Sequence, residues 1–245
     1  MPRETIYNSV ILKKQPYGEG DEILTLFTEE NGKVRALAKS TKFSKSKLQY
    51  ALQTCFFTRL TLTQSGLPKI IGAEVVNAFP NIRENLEAAK IAFYALEVTL
   101  KATPDEQKNE RLFHLLVMFF TFLDLCKTHA DLLDAGLAKF KIQFLQDLGL
   151  GISIPPNLDI RDPYLGFSAS RGGFISGEDT VDFISVTPEI IAQFSALEQL
   201  EFSQLIERQG IAGVLDQPLT VLQDLLSTFI RHQLERDIRS ERFLA

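Results

Sequence analysis

Six cations fall within one short stretch: Lys33, Arg35, Lys39, Lys42, Lys45 and Lys47. No acidic residue interrupts the chain between Glu30 and Glu74, and Ser40, Thr41, Ser44 and Ser46 are interleaved with the lysines. Ammonium and guanidinium groups neutralise phosphates and release their condensed counterions, while small hydroxyls add hydrogen bonds to phosphate oxygens. Phe43 and Tyr50 sit within or beside the run, where their rings could stack on bases. The chemistry on offer is a grip on a nucleic-acid backbone. The competing reading is a solvated loop, and charge alone does not separate the two. A second basic cluster, Arg231, Arg236, Arg239 and Arg242, is interrupted by Glu235, Asp237 and Glu241. Its first reading is intrahelical ion pairing, with Arg231, Arg239 and Arg242 kept as secondary DNA contacts.

Signals for bond-making chemistry are poor. His114, His129 and His232 are isolated, with no second histidine at ligand spacing. Cys55 and Cys126 lack a nucleophile motif. Gly18-Glu19-Gly20 and Gly149-Leu150-Gly151 lack the Lys-Ser/Thr of a phosphate loop and the full dinucleotide fingerprint. The expectation is a protein that is not an enzyme and uses neither metal nor cofactor.

The elements that must position the cations read as β over residues 5–77. Strand patterns occur at Tyr7–Leu12, Ile23–Thr28, Lys33–Ala38, Gln53–Thr63 and Lys69–Asn77, with Asn31-Gly32 and Ser65-Gly66 as turns. In the third strand, Val34, Ala36 and Ala38 alternate with Lys33, Arg35 and Leu37, which puts Lys33 and Arg35 on one face. Five short strands in this length fit a small barrel of OB type, whose face at strands 2–3 binds oligonucleotides; on that scaffold the binding reading is favoured. After Phe79-Pro80 the period becomes helical. Asn81 is expected to cap a helix from Ile82 to about Leu100, followed by helices near Glu106–Lys127 and Ala130–Leu148. Residues 150–186 read as a loop-rich insertion with a short hairpin around Phe167 and Phe174-Ile175. Helices resume at Thr187-Pro188, and the last is expected from Pro218 to Arg239. The fold class is α+β: an OB barrel over residues 1–79, then a helical domain over 80–245.

Composition agrees with a globular protein. Of 245 residues, 45% are hydrophobic and 23% charged, with nineteen Phe and no Trp. The net charge of −5 hides an asymmetry: residues 1–80 hold eleven Lys/Arg against seven Asp/Glu, and the remainder holds fifteen against twenty-four. A basic part on an acidic molecule points to a polyanion-binding face. The N-terminus lacks an apolar run of signal-peptide length and no stretch reaches bilayer-spanning length, so a cytoplasmic, nucleoid-associated location is expected.

The chain also resembles a known family. Tyr17-Gly18-Glu19-Gly20-Asp21 leading into Thr28-Glu29-Glu30-Asn31-Gly32 is similar to the first hairpin of RecO proteins, and Ala38-Lys39-Ser40 with Lys45-Ser46-Lys47-Leu48 to their basic loop. Phe140-Lys141 through Leu148-Gly149 resembles the family's helix ending at a Leu-Gly pair, and Arg239-Ser240-Glu241-Arg242-Phe243-Leu244 its closing signature. The resemblance implies a recombination mediator that binds single- and double-stranded DNA and anneals complementary strands. It implies two protein partners, RecR and the acidic C-terminal tail of single-stranded-DNA-binding protein, on whose DNA recombinase is loaded. It also implies, for many members, a four-cysteine zinc module after the Leu-Gly pair; here residues 152–183 contain neither cysteine nor histidine. The rival reading is a protein-interaction adaptor that does not touch DNA.

Overall fold

The computed structural model describes residues 4–39, 47–63, 66–126, 130–177, 181–207 and 218–244. Packing divides the chain into two compact units, residues 1–124 with 238–245, and residues 125–237. The sequence boundary at residue 79 therefore marks a change of secondary structure, while the packing boundary falls later and the C-terminus returns to the first unit.

The first unit begins with strands β1 (Glu4–Tyr17), β2 (Asp21–Thr28) and β3 (Gly32–Ala38). Helix α1 (Lys47–Ala51) then leads to β4 (Phe57–Thr63) and β5 (Ile70–Asn77). All pairings are antiparallel, in the order β3-β2-β1-β4-β5. The outer strands meet through a bridge between Leu37 and Lys69, where the Leu37 N–H donates to the Pro68 carbonyl at 2.7 Å. This is the partly open OB-type barrel expected from the sequence. Strand β1 is much longer than Tyr7–Leu12. It serves β4 through Glu4–Val10 and β2 through Ser9–Tyr17, with a bulge at Leu12 where the register slips between Ile11 and Lys13.

Period-2 alternation fills the barrel. Ile11, Leu24, Leu26, Val34, Ala36, Ala38, Leu60, Leu62 and Ile70 face inward, and Leu48 and Leu52 plug it at helical spacing from α1. In sequence, Lys45–Leu48 reads as part of a basic loop and the next strand as beginning at Gln53, so α1 was missed and β4 starts later, at Phe57. Outside the barrel a second apolar layer forms. Phe113 of α4 (Glu110–Cys126) meets Phe27 at 6.1 Å and Phe57 at 5.9 Å.

The first helical stretch differs from expectation. Pro80 opens a short α2 (Pro80–Glu84), and α3 (Leu86–Ala102) follows after a break at Asn85. The Asn85 carboxamide accepts from the Glu87 and Ala88 N–H groups at 3.0 and 3.2 Å, so Asn85 caps α3. Asn81 instead reaches Asp124, accepting no cap bond: its N–H and side-chain amide donate there at 2.7 and 2.9 Å.

The second unit carries α5 (Ala130–Asp147), then β6 (Gly166–Ser168), β7 (Gly173–Ile175) and β8 (Phe183–Ser185), then α6 (Pro188–Gln199), α7 (Phe202–Ile206) and α8 (Thr220–Leu234). A 3₁₀ helix (Arg239–Phe243) closes the chain. The last helix thus ends earlier than Arg239, at the left-handed Glu235. The expected hairpin at Phe167 and Phe174 is present, widened by β8 to a three-stranded sheet. It is held by packing: Phe167 meets Phe174 at 5.7 Å and Phe229 at 5.4 Å, and Phe174 meets Phe194 at 5.5 Å, all edge-on. Gly173 presses against the Ser153 backbone, where any side chain would collide. The residues here do not fit a zinc module, because no thiolate or imidazole is available and apolar rings fill the position.

The 3₁₀ helix is fastened by Glu97 of α3, which accepts from the Arg239 N–H at 3.1 Å, the Ser240 N–H at 2.7 Å and the Ser240 hydroxyl at 2.5 Å, and pairs with Lys101 at 2.6 Å. Burial pushes the Glu97 carboxyl up, but the bonds from Lys101, Ser240 and Arg239 outweigh it and bring it down to about 2. The stability from this latch is present above the ordinary carboxylate range and is lost as pH falls toward 2. Glu97→Gln is expected to flatten the acid limb of a pH–stability curve in that window while leaving its neutral shape; urea titrations across pH check it. Phe167→Ala is expected to cost about 3–5 kcal/mol in the same assay, and chelator is expected to leave the wild-type transition in place.

Candidate nucleic-acid interface

The outer face of β1–β2–β3 is covered at one end and open at the other, and this decides which cations are accessible. At the covered end, Gly32 adopts φ +64°, and a side chain there would strike the Gln107 carbonyl, so the loop before α4 lies directly on the turn. Lys33 follows. Its Nζ donates to the carbonyls of Leu100 at 3.2 Å and Thr103 at 2.5 Å, and pairs with Asp105 at 3.2 Å. Its side chain is only 14% exposed. Lys33 therefore neutralises the C-terminal end of α3, an engagement that the charge pattern alone does not show. The alternation was read rightly, but it shows only which face a side chain takes, not what covers that face.

Two residues on, cover ends. Arg35 is exposed and lies opposite Thr25, which lies opposite Lys13. Opposed residues of an antiparallel ladder share a face, so Lys13, Thr25 and Arg35 form one row across three strands with cations at both ends. The next row, Gln15, Ile23 and Leu37, leads to the β1–β2 turn, where Tyr17 is 53% exposed beside Asp21. Lys39 continues β3 toward the same end, and exposed Lys69 stands in register with Leu37. Among the described residues, Lys13, Arg35, Lys39 and Lys69 form no ion pair. Other barrel cations are engaged: Lys14 with Glu22 at 3.4 Å and Arg59 with Glu74 at 3.3 Å.

Of the candidates read from sequence, Arg35, Lys39 and Tyr50 are exposed. Lys42, Phe43 and Lys45 lie outside the described residues, and of Lys47 only the backbone is described, as the first residue of α1. Lys13, Tyr17 and Lys69 were missed. Lys13 was lost because the first strand was ended at Leu12; the Lys13-Lys14 pair just beyond it was the available signal. Lys69 stands alone in sequence and becomes part of the surface only through the β3–β5 bridge. The secondary arginines are divided between the two compact units. Arg231 belongs to the second compact unit and donates to the Thr228 hydroxyl at 3.1 Å, while Arg239 and Arg242 are exposed on the 3₁₀ helix of the first.

His114 pairs with Glu29 at 3.1 Å on the surface. Cys55 and Cys126 are both buried, and burial pushes the Cys55 thiol up to about 12 against the opposing pull of Arg83. No cluster of three or more histidine, cysteine or carboxylate groups fit to hold a metal occurs among the described residues. No helix described is long and apolar enough to cross a membrane.

Comparison with known proteins bears on this surface. Two family models match in tandem: Recombination protein O N terminal over residues 1–79, and Recombination protein O C terminal over residues 83–154. The DNA repair protein RecO of Geobacter metallireducens is 35% identical over 149 residues, covering 60% of this chain and 59% of that protein, less than two thirds of its length. The protein of the same name from Anaeromyxobacter dehalogenans is 27% identical over 251 residues, 96% of this chain and 93% of its own. That of Halalkalibacterium halodurans is 23% identical over 240 residues, 96% and 92%.

Lys33 and Arg35, neighbours on one face, are expected to behave oppositely. Lys33→Ala is expected to lower unfolding free energy by about 1–3 kcal/mol, as for removal of a charged donor from partly buried acceptors. Arg35→Ala is expected to stay within about 0.5 kcal/mol of wild type. Equilibrium urea denaturation of the two variants distinguishes them.

Proposed function

The chain belongs to the RecO family, and from that premise we propose that it works in recombinational DNA repair as a DNA-binding mediator that makes and breaks no covalent bond. The observation that carries this reading is the Lys13–Thr25–Arg35 row, continued by Lys39 and Lys69 on the open end of the barrel face. Its cations are exposed and unpaired among the described residues, and Thr25 between Lys13 and Arg35 is buried and brings no charge of its own. Such a face attracts a phosphate chain and reads little of its sequence. It binds single- and double-stranded DNA alike, because both present the same charged backbone.

Annealing follows from the same physics. Two complementary strands repel each other, and a cationic surface that neutralises their phosphates lets them approach while their bases stay available to pair. In this reading the protein acts with RecR to help load recombinase onto DNA coated by single-stranded-DNA-binding protein, and contacts the acidic C-terminal tail of that coating protein. The adaptor alternative, with no DNA contact, is decided by the same experiment.

The test is charge reversal of Lys13, Arg35 and Lys39 together. Affinity for an oligonucleotide is measured at several salt concentrations. The logarithm of the wild-type association constant is expected to fall steeply with the logarithm of salt, and the slope to shrink by about three in the variant, roughly one for each lost phosphate contact. Circular dichroism melting is expected to be unchanged, since all three side chains are exposed. A wild-type slope near zero, or a variant slope equal to the wild type's, defeats the assignment.

A further inference from the structure

Tyr50 does not belong to the row described above. It projects from α1, 57% exposed, and meets the ring of Phe56 edge-on at 5.4 Å with planes at 71°. Phe56, fully buried, also carries the guanidinium of Arg83 over its face, 4.2 Å from the centroid. Arg83 comes from α2, is exposed, and forms no ion pair among the described residues. A phenol ring and a guanidinium plane are thus fixed on one buried ring. Both contacts are of the kind that orients a side chain: an edge-to-face aromatic pair and a cation–π contact.

The three residues come from α1, the segment before β4, and α2, whereas the cationic row lies on β1, β2 and β3. The ladder places Phe57, next to Phe56, opposite Val10 and Asn77, not opposite any member of the row. The two constellations also differ in chemistry. The row presents exposed cations, with Thr25 and Leu37 buried between them. The Tyr50–Phe56–Arg83 group offers an exposed π surface and a flat cation within reach of a single nucleotide. Exposed aromatics and arginine planes are what unpaired bases stack upon, and a duplex, its bases already stacked, gives them nothing to hold.

We propose that Tyr50 and Arg83 form a second nucleic-acid contact on this barrel, selective for unpaired bases of single-stranded DNA, so that one molecule holds one strand by its phosphates on the β1–β3 face and a second by its bases here. The inference rests on the reading of the β1–β3 face as a DNA contact. It assigns strand pairing to the cooperation of two surfaces of one molecule. The Arg83 guanidinium lies over Phe56 and the Tyr50 ring meets the same ring edge-on, so both offer stacking surface to bases and neither is assigned a phosphate.

The experiment uses the full chain and two readouts: equilibrium affinity for a single oligothymidylate strand, and the initial rate of annealing of two complementary strands. The Tyr50→Ala/Arg83→Gln variant is expected to keep the salt slope of single-strand binding within error and to slow annealing roughly tenfold, the scale of one lost base–aromatic stack. Tyr50→Trp, which keeps a stacking ring, is expected to restore the rate in the presence of Arg83. A strand carrying bromodeoxyuridine is expected to crosslink to Tyr50 on irradiation, and duplex DNA is not. Wild-type annealing by the Tyr50→Ala/Arg83→Gln variant, or equal crosslinking of duplex, overturns the second contact while leaving the first intact. A wild-type protein that retains no DNA at any salt overturns both. Because Phe56 is untouched and both substituted side chains are exposed, a thermal melt confirms that any loss is not unfolding.

Discussion

One extra residue in one strand organises the first unit. At Leu12 the ladder slips, so that β1 pairs with β4 through its first half and with β2 through its second. Without the slip, a strand of this length would run straight and could not serve both neighbours around a small barrel. The slip also fixes which side chains share a row. It sets Lys13 opposite Thr25, and hence in line with Arg35, where an uninterrupted register would have carried a different residue to that place. Barrel curvature and the cationic row are consequences of the same backbone irregularity.

Much of the fold was legible because it is local. Alternation in Lys33–Ala38, the Asn31-Gly32 turn and the helical spacing of α5 each depend on a few adjacent residues, and each stands as read. The misreadings arose where a choice depended on distant partners. Asn81 and Asn85 are equally good caps by type; Asp124, far along the chain, claims Asn81 and leaves the cap to Asn85. Lys33 and Arg35 are equal as charges; the carbonyl end of α3 claims one of them. The basic region was legible and supplied Arg35 and Lys39, whereas Lys13 and Lys69 join them only through strand pairing. Charge in sequence marks where cations are plentiful, and only tertiary packing decides which remain free to meet a ligand.

The insertion at residues 150–186 shows how an ordering problem can be solved with different chemistry. A metal module holds a short loop-rich segment by a few strong bonds from thiolates. Here Phe167, Phe174, Phe194 and Phe229 interlock, and Gly173 lets two backbones approach closely. Many weak contacts replace few strong ones, which explains part of the unusual phenylalanine content.

The return of the C-terminus to Glu97 has a consequence for biogenesis. Residues 125–237 are spliced between two parts of the first compact unit, whose last piece is Ile238–Ala245. During synthesis the barrel and its two long helices emerge before residues 125–237, and the segment that satisfies the Glu97 carboxylate emerges only after them. The first-made part of this unit therefore waits on residues 238–245, and a translation product that stops short of them leaves the Glu97 carboxylate without its clasp.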